Sequence, residues 1–266
     1  MRAFDELLRV MARLRSSDGC PWDREQTHGS LRPYLLEEAY EALEAVDAED
    51  WSRLCDELGD VLLQVVFHAQ LASERGDFDI EDVCAGIVRK LKRRHPHVFA
   101  DAVADTPDQV LDRWEKLKRQ EKGYEGRRSA LDGIPPAMPA LQRAHKLQKR
   151  AARVGFDWDG IEGPRAKIDE ELAEVDDAEA AELEDEIGDL LFAVVNLARF
   201  LGVEPEGALR GANARFTRRF KAIERAGGGA ERLREMDLEQ MDELWEQAKA
   251  EEAETSEDPT GPSPTT

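Results

Sequence analysis

Two stretches of the chain share one pattern of polar and apolar positions. CDELGDVLLQVVFHA, from Cys55 to Ala69, and EDEIGDLLFAVVNLA, from Glu184 to Ala198, are each an apolar run entered through a Glu-x-x-Asp pair. Their apolar residues recur at helical spacing, and little of the chain alternates as a strand does, which predicts helices throughout. The opening MRAFDELLRVMARLR reads as an amphipathic helix and lacks the unbroken apolar core of a signal peptide.

The pattern repeats beyond those two runs. LLEEAYEALEAVDAEDWSRLCDELGDVLLQVVFHA aligns with KIDEELAEVDDAEAAELEDEIGDLLFAVVNLA, IVRKLKRRHPHVF with GANARFTRRFKAI, and VLDRWEKLKRQE with QMDELWEQAKAEE. Three blocks in one order imply two copies of one helical module. The expected organisation is a first module over 1–120, a Gly/Pro-bearing linker over 121–137, a second module over 138–250 and a disordered tail over 251–266. Each module is read as three or four helices, with breaks at Pro21, Pro33 and Pro96 in the first and at Pro164 and Pro205 in the second. The fold class is therefore all-α. The apolar face around LLFAVV is too wide for one module to cover, so the bundles are expected to be completed by oligomerisation, as a homodimer or larger homo-oligomer.

Charge narrows the function. A net charge of −21 disfavours direct binding to nucleic acid or anionic membrane. No apolar run approaches the ~20 residues that span a bilayer. Cys20, Cys55 and Cys84 are odd in number and widely spaced, as in a cytoplasmic protein rather than a disulfide scaffold.

The acids carry the chemistry. Residues three or four apart share a helix face, so Glu171 and Glu174 form one pair and Glu186 and Asp189 another, on consecutive antiparallel helices. The first module repeats this as Glu38 and Glu41 with Glu57 and Asp60. Four facing carboxylates repel, and a hard divalent cation relieves the penalty. All-oxygen donors without His or Cys point to Mg²⁺, with Mn²⁺ as a substitute, and a partly hydrated Mg²⁺ partners substrate phosphates. Glu-x-x-His motifs of a di-iron bundle are missing at these positions.

Basic groups follow in each copy. Arg215 and Arg219 are four apart in ARFTRRFK, and Lys90 and Arg94 are equally spaced in the first copy; such pairs suit phosphate oxygens. Trp114 and Trp245 recur as candidates to stack on a base or to pack a core. VGFDWDG, Val154 to Gly160, has no clear match in the first copy and either shapes a nucleoside pocket or anchors a loop, with Lys146, Lys149 and Arg153 adding positive potential. His95 and His97 flank Pro96 and read as a structural loop, and Ser16, Ser17 and Cys20 offer no nucleophile arrangement. Asn196 stands where the first module has Phe67, and an amide there is able to bond a base or sugar. The second module is thus expected to be the main catalytic one.

With GCPWDREQTH, RRHPHVF, KLQKRAARVGFDW, FTRRF and the two E-E-x-x-E … E-x-x-D modules, the chain resembles the two-domain bacterial MazG nucleoside triphosphate pyrophosphohydrolases. The resemblance implies Mg²⁺-dependent conversion of (deoxy)nucleoside triphosphates to nucleoside monophosphate and pyrophosphate, by water attack at the α-phosphorus. It implies that Glu171, Glu174, Glu186 and Asp189 hold the metal, that Glu170 or Glu171 takes the water's proton, and that Arg215, Arg219 and Lys167 meet the phosphates with Trp245 near the nucleotide. Relatives carry Lys at the position of Arg215, and some carry Lys where this chain has Glu182. A non-catalytic regulatory module that binds a nucleotide or partner protein is the alternative.

Overall fold

The computed structural model describes residues 2–100 and 129–257, with Thr106, Val110 and Leu117 between them. Every regular element among these residues is a helix. The chain divides into two compact units, Met1–Gly126 and Arg127–Thr266. The division falls inside the segment expected to link the modules, of which 121–128 lies outside the described residues, as do Trp114 and most of the third repeated block.

The first unit contains α1 (Arg2–Leu14), α2 (Pro21–Glu25), α3 (Arg32–Asp47), α4 (Trp51–Arg75), α5 (Ile80–Arg94) and α6 (Pro96–Phe99). α3 and α4 are joined by a tight turn in which Glu49 takes a positive φ of 54°, and they pack as an antiparallel pair. Asp50 caps α4 by accepting from the Arg53 N–H at 3.0 Å, and Gly76 ends it in the left-handed conformation at φ 75°. Asp79 and Asp82 form a reciprocal capping box on α5. α1 lies against α4 and closes a core of Met11, Leu31, Val66, Phe67 and Leu71.

The second unit contains α7 (Ala140–Ala152), α8 (Glu162–Asp177), α9 (Leu183–Phe200), α10 (Pro205–Ala226), α11 (Ala230–Leu233) and α12 (Leu238–Glu257). α8 and α9 form the counterpart of the α3–α4 pair, α7 packs on α9 as α1 does on α4, and α10 packs on α12. Glu204 caps α10, accepting from the Gly207 N–H at 2.6 Å.

Two differences from the sequence reading, and one agreement, have physical causes. Each unit shows six helices among the described residues rather than three or four, because short turns at Pro21, Pro96 and Ala230 close into helices of their own. The breaks expected at the prolines are present, with each proline on the far side of its break: Pro21, Pro96 and Pro205 occupy the first helical position and Pro33 and Pro164 the first turn, where the missing N–H costs nothing. α12 runs to Glu257, into the segment expected as a tail, because AEEAETSE keeps good helix formers after the apolar residues stop; 258–266 lies outside the described residues.

An apolar stripe is left uncovered on both acidic helix pairs. Leu58, Leu62 and Val65 of α4 are exposed, and Ile187, Leu191 and Val194 repeat them at the same positions of α9. The second unit buries few large side chains, chiefly Val195, Ile223 and Leu233. No helix among the described residues is long and apolar enough to cross a membrane.

Candidate active site

In the second unit α8 carries Lys167, Glu170, Glu171 and Glu174, and α9 answers with Glu186 and Asp189 near its start. Glu171, Glu174 and Glu186 each offer an oxygen within 4.8 Å of the others. Asp189 borders the same acidic hollow of about 500 Å³, along with Lys167 and Glu182. Glu171 is the buried member, at 4 % exposure. Its Oε1 pairs with Lys167 Nζ at 2.7 Å, while its Oε2 is buried without a hydrogen-bond partner. The hydrogen bond and charge of Glu171, together with burial, hold the Glu174 carboxyl above the usual range.

A buried carboxylate oxygen without a partner is costly. Here it belongs to a group of converging carboxylates, and an oxygen-seeking divalent cation fits that donor set. The residues present therefore match the metal that their sequence pattern implied.

The remaining expected residues fall into two groups. Glu170 is not in the cluster; it stays on the rim and pairs with Lys167 at 2.6 Å. Lys167, expected to meet phosphate, is an internal counter-ion to Glu170 and Glu171, which hold its ammonium well above the usual lysine range. A lysine four residues ahead of a Glu reaches it along the helix more easily than it reaches outward.

Arg219 and Trp245 are brought together, with the guanidinium 5.8 Å over the indole. Phe216 tilts against the same indole at 5.4 Å. Arg219 Nε also donates to Glu252 Oε2 at 2.6 Å, and Arg218 binds the other oxygen of Glu252. These two arginines hold the Glu252 carboxyl below the usual range. Arg215 is exposed. No ion pair or hydrogen bond among the described residues joins Arg215 or Arg219 to the acidic cluster.

Asn196 lies elsewhere on α9, beside a cavity of about 490 Å³ that the loop Gly155–Trp158 helps to wall. Its Oδ1 accepts from Arg199 Nε at 2.9 Å, and Arg199 is held by Asp157. Sequence reasoning named the VGFDWDG stretch that walls this cavity but missed Gln148, Phe192 and Arg199. The available signal was the pairing of GCPWD with GFDWD, each ahead of an acidic helix.

The first unit holds a counterpart of the acidic group. Glu38, Glu41 and Glu57 converge within 4.8 Å. Burial first, then the charge of Asp60, pushes the Glu38 carboxyl up, and the charge of Glu57 does the same to Glu41. Arg53 reaches into this group, donating to Glu57 at 3.1 Å and to Glu44 at 2.6 Å.

A family model described as the MazG nucleotide pyrophosphohydrolase domain matches residues 26–99, which include the first acidic group. The chain is 52% identical over 262 residues to a nucleoside triphosphate pyrophosphohydrolase of Escherichia coli K12, covering 95% of this chain and 99% of that protein. It is 51% identical over 251 residues to the nucleoside triphosphate pyrophosphohydrolase/pyrophosphatase MazG of Thermotoga maritima, covering 92% and 95%. A nucleoside triphosphate pyrophosphohydrolase of Mycobacterium tuberculosis is 44% identical over 149 residues, which are 55% of this chain and 44% of that protein.

Proposed function

The chain belongs to the MazG nucleotide pyrophosphohydrolase family, and from that premise we propose that its second module is the one that turns over substrate. The reaction is hydrolysis of nucleoside triphosphates to nucleoside monophosphate and pyrophosphate. A purely regulatory, non-catalytic role has no support beside identities of 51–52% to such enzymes over most of the chain.

The observation that carries the choice of module is the orphaned Oε2 of Glu171, buried among Glu174 and Glu186 between α8 and α9. Members of this family are metal-dependent, and Glu171, Glu174, Glu186 and Asp189 would hold Mg²⁺, or Mn²⁺ in its stead. Bound there, the cation neutralises phosphate charge and acidifies water. Glu170, on the rim and outside the metal-holding group, accepts a proton from the attacking water through the oxygen that Lys167 does not hold. The water oxygen bonds to the α-phosphorus, the bond from that phosphorus to its bridging oxygen breaks, and pyrophosphate leaves. Arg215 and Arg219 meet the charge on the phosphates, with Trp245 holding Arg219 in place. Lys167 holds Glu171 in its orientation through the 2.7 Å pair.

The repeated apolar stripes on α4 and α9 support a homodimer or larger homo-oligomer that covers them. Free thiols at Cys20, Cys55 and Cys84 support a cytoplasmic setting.

Incubation with nucleoside and deoxynucleoside triphosphates in ¹⁸O-water, with and without Mg²⁺, tests the reaction. Label in the nucleoside monophosphate, only with metal, is expected. Label in pyrophosphate would move the attack to the β-phosphorus, and release of nucleoside diphosphate with phosphate would remove this mechanism altogether.

A further inference from the structure

We propose that His28 and His68 form an acid-sensitive latch in the first module, holding the turn before α3 against α4. The latch stands apart from the pyrophosphohydrolase reading and uses none of the residues placed in it.

The two imidazoles meet through their Nδ1 atoms at 2.7 Å. Their planes are parallel within 1° and their centroids are 5.0 Å apart. Rings stacked face to face keep their atoms about 3.5 Å apart, so this pair meets edge to edge, with one Nδ1–H donating and the other Nδ1 accepting. Only one proton fits in that contact, whichever ring carries it. When both rings are ionised, both Nδ1 atoms carry hydrogen, and two cationic N–H groups point at each other.

The surroundings give the second charge no relief. His68 Nε2 is buried without a partner, and Oε1 of Gln64, one turn earlier on α4, is buried and unpartnered too. Helices α1, α3 and α5 also pack on α4, yet no carboxylate from them among the described residues offsets a charge on His68. Burial first, then the charge of His28, lower its imidazole below the ordinary 6.5. Glu74, six residues further along α4, is already taken by Arg15.

The turn transmits what happens at the pair. The Thr27 N–H donates to Ser30 Oγ at 2.9 Å and the Ser30 N–H to Thr27 Oγ1 at 3.1 Å, so the turn moves as one body. The next residue, Leu31, is 1% exposed in the core with Met11, Val66, Phe67 and Leu71, and its N–H donates to the Thr27 carbonyl at 3.1 Å. Pushing His28 away from His68 therefore pulls on Leu31 and loosens the entry to α3. The second module has Leu197 in place of His68, Ala193 in place of Gln64, and no histidine between α7 and α8. Acid should thus loosen the first module alone.

The direction follows from linkage. A histidine lowered in the folded state takes up its proton more readily once released, so the latch is fully closed above the free value of about 6.5. It weakens as the pH falls toward the lowered value.

Hydrogen exchange of the full chain, compared at about pH 7.5 and about pH 5 and corrected for the intrinsic rates of an unstructured peptide, tests the latch. Protection of the Leu31 and Arg32 amides should fall about tenfold in the parent, the size of a shift of one pKa unit. The connection between α7 and α8 should show no such fall. His28→Ala changes a half-exposed side chain, and His68→Leu installs the second module's residue; both should make protection of the turn independent of pH. Protected amides in the core of α4 show that a variant folds, and His28→Ala alone decides if His68→Leu does not. Constant protection in the parent, or a tenfold fall that survives in His28→Ala, would overturn the proposal.

Discussion

In the first module the cation beside the acids sits on the second helix of the pair: Arg53 of α4 bonds Glu57 at 3.1 Å and Glu44 at 2.6 Å. In the second module it sits on the first helix, where Lys167 of α8 bonds Glu170 at 2.6 Å and Glu171 at 2.7 Å. The exchange is reciprocal, because Glu182 occupies the chain position of Arg53, and Tyr34 that of Lys167. Each module therefore has one resident cation, applied from opposite sides. Arg53 takes one oxygen, Oε1, of Glu57, a half-buried member of the converging group. Lys167 takes only one oxygen of Glu171 and leaves the other unpartnered, with Glu186 in no ion pair among the described residues. A second exchange reinforces the first. Phe67 is buried in the core of the first module with Arg15 5.6 Å from its ring, whereas Asn196 in the same position of α9 borders an open cavity. Identical acids do not make identical sites; the neighbours decide which carboxylates remain available.

The largest effect expected from this comparison is on turnover. Glu171→Ala should lower kcat for nucleoside triphosphate by about 1,000-fold, since it removes the buried member of the metal-holding group. Glu38→Ala, its counterpart, should change kcat by less than about twofold. Steady-state pyrophosphate release measures both, and comparable losses would mean that the modules share the work.

A substitution across the repeat comes next. Phe67→Asn imports the second module's amide into the first module's core, and should cost about 3 kcal/mol in denaturant unfolding through lost packing and an unpaired amide. Asn196→Phe, the reverse change, should leave stability nearly intact but raise KM for the nucleotide about tenfold by filling the cavity. If Asn196→Phe were silent in KM, the open cavity would have no part in substrate binding.

The repeat, the acidic pairs and the all-α class were legible in the sequence because each rests on spacing within one helix or between adjacent ones. Glu171, Glu174 and Glu186 meet because of the three-residue spacing and the short connection between α8 and α9. What was not legible depended on side chains choosing between partners. The spacing in RAKIDEELAE lets Lys167 turn inward to Glu170 and Glu171, but spacing alone does not exclude an outward turn to phosphate. The Asp157–Arg199–Asn196 chain links a loop to a helix far along the sequence, and one sequence gives no register for such a contact. The breaks at the prolines were legible too, and Pro21, Pro96 and Pro205 mark them from the first position of the following helix.

The closure of the first module has its own anchor, and it predicts a smaller, pH-dependent effect. Arg15, nearly buried, donates twice to Glu74 at 2.8 and 2.7 Å and also to the Asp23 carbonyl, so it ties α1 and α2 to α4. In the second module the polarity is reversed: Arg199, in the last turn of α9, donates twice to Asp157 of the loop after α7. Hydrogen bonding by Arg15 lowers the Glu74 carboxyl below its ordinary 4.5. A carboxyl lowered in the folded state contributes stability that is complete above its unfolded value and is lost as pH falls through its folded value. Glu74→Ala should thus cost about 2 kcal/mol at pH 7, reduced from a fully buried pair because Glu74 is a third exposed. The gap between variant and parent should close as the pH falls below 4. A gap that held constant from pH 7 to pH 3 would mean that packing, not the ion pair, ties α1 to α4.

The smallest effect concerns the phosphate side of the second module, where an internal carboxylate stands in for the substrate. Glu252 of α12 holds Arg218 and Arg219 in the free protein. A triphosphate that recruits Arg219 has to compete with it. The pair is only partly shielded from water, so its net worth is modest. Glu252→Gln keeps the shape and removes the charge, and it should lower KM for nucleoside triphosphates by about threefold at low salt, with the advantage shrinking as salt screens the original pair. Glu252 has a second possible effect of opposite sign, since its Oε2 accepts from Arg219 Nε and helps the cation–π contact aim the guanidinium. If aiming outweighs competition, Glu252→Gln raises KM instead, and the rise persists at high salt because orientation, unlike a through-space charge, is not screened. The sign of the change, read at two ionic strengths, therefore tells whether α12 restrains this phosphate site or builds it.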